Sequence, residues 1–192
     1  MRLRIATPAD GPACAGIYEP YVTGTCISFE LTPPDGTEIG DRIARTVERT
    51  PWVVVEVDGA VRGYAYAGRF RERPAYDWTA ETTVYVDRAF HGRGIGRAAM
   101  RAVLAILRIQ GFHVAVAGVT PPNPRSVDLH LALGFRQIGM FEAVGWKDGR
   151  WHGVEFFELD LSQPEPAPEP IRPLPDVAGS EAVARALADA AS

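Results

Sequence analysis

Residues 80–110 read AETTVYVDRAFHGRGIGRAAMRAVLAILRIQ, joining a strand, a glycine-rich turn and a long amphipathic helix without interruption. Thr82 to Val86 alternates and is rich in β-branched and aromatic residues, the pattern of a half-buried strand. Met100, Val103, Leu104 and Leu107 then recur at helical spacing. Between the two lies His91-Gly92-Arg93-Gly94-Ile95-Gly96. Glycine permits positive φ and close backbone approach, so this turn can aim successive N–H groups at an anion, with Arg93 and Arg97 adding charge beside it. Many strand-to-helix turns use glycine for geometry alone. The spacing is neither that of a Gly-Lys-Ser/Thr phosphate loop nor that of a dinucleotide fingerprint with its acidic residue after a second strand.

Working outward, Arg2 to Ile5 forms a short strand pattern, and Thr7-Pro8-Ala9-Asp10 reads as a helix start with Pro at the first position, leading to a helix to about Pro20. A loop through TGTCISFE and TPPDG precedes a second helix over about Glu38 to Arg49. Phe29, in that loop, is a candidate substrate-facing aromatic or a plain core contact. Trp52 to Val57 and Val61 to Gly68 flank Asp58-Gly59, a two-residue hairpin turn. Arg69 to Trp78, RFRERPAYDW, follows neither period; it reads as a solvated loop or as a substrate loop whose guanidinium groups suit a carboxylate or phosphinate.

Beyond the central helix, Val114 to Val119 is a buried strand pattern, Pro124 and Gly134 bracket a short helix over about Arg125 to Leu133, and Phe135 to Phe141 and Trp151 to Leu161 form two last strands around the turn Lys147-Asp148-Gly149-Arg150. A single domain over residues 1–161 is expected. From Ser162 the chain becomes proline-rich and then alanine-rich, the composition of a disordered tail with at most a transient helix.

The whole composition bounds the function classes. At 192 residues with 46% hydrophobic content, the chain suits one domain with a sizeable core. A formal net charge of −4 gives nucleic-acid binding no support, and no apolar run is long enough to span a bilayer. No export signal is legible at the start, so the cytoplasm is the expected compartment. Cys14 and Cys26 lack clustered partners, so reduced thiols and no metal site are expected.

The turn resembles the pyrophosphate turn of the GNAT-type acetyl-CoA-dependent N-acetyltransferases, Gln/Arg-x-x-Gly-x-Gly/Ala, with His91 standing where the family has Gln or Arg. Leu129-His130-Leu131-Ala132-Leu133-Gly134-Phe135 resembles the family's x-Tyr-x-x-Leu-Gly-Phe, with His130 in the Tyr position. Through AYDWTAETTVYV, the Pro-Asn-x-x-Ser-type turn, LHLALGF and GRWHGVEFFELDL, the chain is most similar to the phosphinothricin and methionine sulfone/sulfoximine acetyltransferase subgroup over about Arg2 to Leu161. The resemblance implies an α/β (α+β) acyl-CoA N-acyltransferase fold, a mixed, mostly antiparallel sheet flanked by helices. It implies acetyl-CoA as co-substrate, a small amino acid as acceptor and no covalent acyl-enzyme, and leaves a homodimer open.

An α-amine must lose a proton before attacking a thioester, and the departing thiolate (thiol pKa about 8.5) must gain one. Glu81 is the candidate base, unless it is merely an exposed strand-end carboxylate; His130 is the candidate acid or helper, unless it only packs on a helix face. The resemblance further implies that Val84, Tyr85 and Val86 pair with the pantetheine arm, that Gly92, Arg93, Gly94, Ile95, Gly96 and Arg97 meet the pyrophosphate, and that Asn123 bonds the cofactor from the far side. Arg71, Arg73 and Tyr76, with Phe29, are the candidate acceptor contacts. Two other readings stay open: acetylation of a protein N-terminus or another amine, and a non-catalytic acyl-CoA-binding module.

Overall fold

A computed structural model describes residues 1–163 and 168–192. Seven strands form one sheet: β1 (Arg2–Ile5), β2 (Trp52–Val57), β3 (Ala60–Arg69), β4 (Thr79–Val86), β5 (Val114–Val119), β6 (Arg136–Lys147) and β7 (Arg150–Asp160), in the order β1-β2-β3-β4-β5-β7-β6. The helices are α1 (Gly11–Thr23), α2 (Gly36–Val47), α3 (Ile95–Gln110), α4 (Pro124–Ala132), α5 (Leu174–Val177) and α6 (Glu181–Ala190). Every pairing is antiparallel except β4 with β5. Both Asp-Gly hairpin turns form as expected, with Asp58 and Gly59 at φ 53° and 76° and Asp148 and Gly149 at 50° and 75°, the positive pair that matches strand twist.

Strand alternation divides the core between two faces. Val53 and Val55 of β2, Ala65 and Ala67 of β3 and Ala80 of β4 pack with α3, whereas Trp52, Val54 and Tyr64 pack with α1 and α2. By the same alternation Val84 and Val86 share the α3 face, while Tyr85 and therefore Glu81 stand on the α1–α2 face.

The parallel pairing positions the site. β4 and β5 pair only through Thr79↔Val114, Ala80↔Ala115 and Glu81↔Val116, after which both strands run on unpaired with each other, to Val86 and Val119. At the fork the buried Thr82 hydroxyl donates to the Val116 carbonyl at 3.2 Å. The far edge of β4 stays paired with β3 up to Val86, so the splay leaves one backbone edge of β4 open to a ligand.

Two expectations need correction. The strand expected over Phe135 to Phe141 continues as β6 to Lys147, with register shifts at Gln137/Gly139 and Phe141/Gly145. The tail is not a disordered segment where it is described: Leu174, Val177, Val183 and Ala190 are buried in the α3-side core. α3 explains why. Its buried residues surround most of the helix, so it needs cover on the side away from the sheet, and α5 and α6 provide it. Ser180 caps α6 by accepting from the Val183 N–H at 3.3 Å. Gln110, 1% exposed, donates to the carbonyls of Arg49 (2.7 Å) and Arg172 (2.8 Å), and Trp78 Nε1 donates to the Glu169 carbonyl at 2.8 Å. Part of the proline-rich stretch, residues 164–167, lies outside the described residues.

Candidate active site

A cleft of about 1010 Å³ opens between the diverging strands and runs through the fork, from the α3 side to Tyr21, Ile27 and Tyr85 on the α1–α2 side. Its floor is β4 from Thr82 to Val86, one end is the glycine turn, and the opposite wall is the end of β5 with α4. Gly92 and Gly94 are left-handed, φ 77° and 79°, as anticipated from their residue type. Gly94 is the N-cap of α3, and no side chain caps the helix. The first amides of α3 therefore remain available, with the positive end of the helix dipole behind them.

Of the candidate cofactor residues, Val84, Tyr85, Val86, Gly92, Gly94, Ile95, Gly96, Arg97 and Asn123 all line this one cleft. Arg93 does not; its guanidinium lies 4.7 Å over the Phe90 ring, on the outside of the turn. Asn123 caps α4, its side-chain oxygen accepting from the Ser126 N–H at 3.3 Å, which leaves its NH₂ group free to donate into the cleft.

His91, where the family motif has Gln or Arg, is held from three directions. Arg125 Nη1 of α4 lies 2.8 Å from Nδ1; Tyr21 of α1 lies 2.7 Å from Nε2; the Val86 carbonyl is 3.2 Å from Nε2 and 2.6 Å from the Tyr21 hydroxyl. Tyr21 and Arg125 line the cleft, yet nothing in their local sequence pattern marked them.

His130 also lines the cleft, 3% exposed, with its ring edge-on to Phe135 (5.0 Å) and stacked near Phe157 (5.9 Å). Its Nδ1 is 2.7 Å from the Ser126 carbonyl, an atom that can only accept, so Nδ1 carries the proton. Nε2 is then a lone pair without a protein partner, and burial holds the imidazole below the usual histidine range against the opposing effect of the Ser126 bond. A ring in this state has no proton at Nε2 to give, so the expected acid role does not fit; it offers an acceptor.

Glu81 stands on the opposite face of the sheet, so the fold does not bring Glu81 and His130 side by side. A Cβ built on Gly118 of β5 would lie 3.9 Å from Glu81 Oε1, and glycine there leaves room for the carboxylate against the strand. Burial pushes the Glu81 carboxyl above the usual carboxylate range, with the Arg71 charge pulling it partly back. Arg71 lies 4.9 Å from the Phe70 ring and 5.9 Å from that of Tyr76, and the loop is anchored by Asp77, 3.3 Å from both Arg49 and Arg69. Arg73 is exposed at the start of the short turn Pro74–Tyr76.

The other wall on this face is the loop after α1. Phe29 rests on Gly145 of β6, where any side chain would collide with the ring (2.2 Å to a built Cβ). Lys147, readable in sequence only as a turn residue, is buried and donates to the carbonyls of Val22 (2.6 Å), Ser28 (2.7 Å) and Glu30 (3.0 Å), pinning this loop to the β6–β7 hairpin. Among the described residues no cluster of His, Cys, Asp or Glu could hold a metal ion, and no helix is long and apolar enough to cross a membrane.

A forked parallel strand pair leading into a helix start on left-handed glycines is the architecture of an acyl-CoA-dependent acyltransferase. The family profile described as Acetyltransferase (GNAT) family matches residues 21–135, and the chain belongs to that family. It is 40% identical over 177 residues to a phosphinothricin N-acetyltransferase of Streptomyces viridochromogenes, covering 92% of this chain and 96% of the relative. It is 34% identical to an L-methionine sulfoximine/L-methionine sulfone acetyltransferase of Salmonella typhimurium, covering 85% and 96%. Among solved structures it is similar to a GNAT superfamily phosphinothricin acetyltransferase from Sinorhizobium meliloti in complex with AcCoA (TM-score 0.82, 34% identity, 90% of this chain and 95% of that one). The protein is thus an acetyl-CoA-dependent N-acetyltransferase, and the GNAT fold expected from the sequence is the fold observed.

Proposed function

We propose that the acceptor is the α-amine of a small amino acid with a tetrahedral polar side-chain end, of the kind of phosphinothricin, methionine sulfoximine or methionine sulfone. The observation that carries this reading is the half-buried Glu81 at the fork, on the α1–α2 side of the sheet and within reach of the Arg71 charge. The names of the relatives support it.

Acetyl-CoA supplies an acyl thioester. The open edge of β4 at Val84, Tyr85 and Val86 would pair with its pantetheine arm, the amides from Gly92 to Arg97 would meet its pyrophosphate, and the Asn123 NH₂ group would bond it from α4. Glu81 takes a proton from the substrate ammonium, directly or through water; a carboxyl pKa raised toward neutrality improves this exchange. Arg71 and Arg73 bind the carboxylate or phosphinate with paired hydrogen bonds, and Tyr76 and Phe29 bound the pocket. The cleft is open to solvent, where a thiolate of pKa about 8.5 regains its proton without a dedicated acid.

A homodimer belongs to the same reading: Ile138, Met140, Phe141, Val144 and Trp146 stand exposed on β6, and an edge strand can pair with its own copy about a two-fold axis. Sedimentation of the pure protein tests it, a monomer at micromolar concentration counting against. The cytoplasm and the exclusion of nucleic acid stay with this reading, the latter supported by the net charge of −4.

The deciding experiment follows thiol release from acetyl-CoA over a panel of free amino acids, the three compounds above, peptides and polyamines. Turnover of at least one of the three is expected. Turnover of peptides or polyamines alone would replace the substrate class.

A further inference from the structure

His91 departs from the Gln or Arg of the turn motif, and its contacts give the departure a chemical meaning. A guanidinium has donors and no acceptor, so the 2.8 Å contact from Arg125 Nη1 requires a lone pair on His91 Nδ1. The ring proton then sits on Nε2 and points at the Tyr21 oxygen, 2.7 Å away, while the Tyr21 hydroxyl donates to the Val86 carbonyl at 2.6 Å. The chain of donors runs in one direction, from α4 through the turn and α1 to the end of β4, and every proton in it has an acceptor.

Its effect is to hold the exposed Arg125 cation against the turn. Among the described residues Arg125 makes no ion pair, although Asp128 lies on the same helix. Arg125 lines the same cleft as the left-handed glycines, the first amides of α3 and Arg97, whereas Arg93 is drawn away over Phe90. A cation kept unpaired beside open amides is suited to a phosphate, which it can meet with parallel hydrogen bonds.

We propose that Arg125, oriented by His91, is a phosphate-reading residue for acetyl-CoA in this protein, beside the turn amides and Arg97. Arg125 adds a positive charge from α4, across the cleft from Arg97, and His91 is a positioning residue that supplies an acceptor rather than a charge. This inference concerns the co-substrate and does not depend on which amine is acetylated.

Calorimetric titration of the full chain with acetyl-CoA, and with the acetyl thioester of pantetheine, which lacks the phosphates, tests it. Arg125→Ala should raise the Kd for acetyl-CoA about tenfold, leave that for the pantetheine thioester within about twofold, and flatten the salt dependence of acetyl-CoA binding. His91→Leu, which removes the acceptor, should reproduce part of that loss with the same dependence on phosphate. His91→Gln, which keeps an acceptor, should retain near wild-type affinity. An unchanged acetyl-CoA Kd in Arg125→Ala, or equal weakening toward both ligands, would overturn the proposal. So would equal behaviour of His91→Leu and His91→Gln, because orientation through an acceptor predicts that they differ.

Discussion

The two faces of the sheet at β4 are built on different principles. The cofactor cleft is mostly backbone: a strand edge released by the fork after Glu81, two left-handed glycines and an uncapped helix start. The acceptor face is mostly side chains brought from distant segments: Glu81 from β4, Arg71 from the loop before it, Phe29 from the loop after α1, and Lys147 from β6 beneath that loop. Backbone devices tolerate side-chain drift and hold one invariant ligand. Side-chain devices can be re-set to a new substrate without touching the fold.

Substitutions on the two faces should therefore separate cleanly. Glu81→Gln keeps the shape of the acceptor face and removes the base, so kcat should fall by about 10²- to 10⁴-fold with the acetyl-CoA Kd unchanged. Turnover within a few-fold of wild type across the pH range would remove Glu81 from the reaction.

The next effect lies outside both sites. Deleting residues 162–192 strips Leu174, Val177, Val183 and Ala190 from the core and uncovers α3. Each Leu or Val is worth about 1.5–3 kcal/mol of burial, partly cancelled by the entropy of ordering the tail. A net loss of about 3 kcal/mol would lower Tm by 6–12 °C. An unchanged Tm on calorimetry would mean that the docked helices add nothing to stability.

How much was legible follows the same division. The glycine run announced its own conformations, and the Asp-Gly hairpins and alternating strands announced theirs, because each is a local steric or periodic requirement. The tail was missed because its signal lay in its partner: along α3 the charged residues Arg97, Arg101 and Arg108 form a narrow stripe, and a helix apolar over most of its circumference calls for cover on both sides. The tail's own alanines and prolines look like linker. Arg125 reads only as the start of a short helix and Lys147 only as a turn residue, since a long side chain's destination across the fold leaves no trace in local pattern. The tautomer of His130 is set by its placement against the Ser126 carbonyl and two aromatic rings, which the sequence does not encode locally.

Gly94→Val probes the backbone side. Space is not the obstacle, since nothing lies within 4 Å of a built Cβ, but φ is 79°, where a β-branched residue is strained by about 1–2 kcal/mol or more. Relaxing that strain turns the first amides of α3 away from the cleft. The acetyl-CoA Kd should rise about tenfold by titration, while the KM for the amine at saturating acetyl-CoA stays put. A change in the amine KM alone would contradict the separation of the faces.

The smallest effect sharpens the side-chain face most. Burial raises the Glu81 carboxyl above its usual range and the Arg71 charge works against it. Since the base form is the one that accepts a proton, kcat should fall as pH drops through that raised value, placing the acid limb above the ordinary carboxylate range. Arg71→Ala removes the charge that favours the carboxylate and leaves burial unopposed, so the limb should move to higher pH. Arg71→Lys keeps a positive charge and should hold the limb near its wild-type position, even if the paired contact to the substrate is lost and its KM rises. Measuring kcat against pH with both substrates saturating isolates this ionisation from substrate binding. A limb that moves to lower pH in Arg71→Ala, or that persists unchanged in Glu81→Gln, would mean that another group titrates there and that the carboxylate behind the fork is not the base.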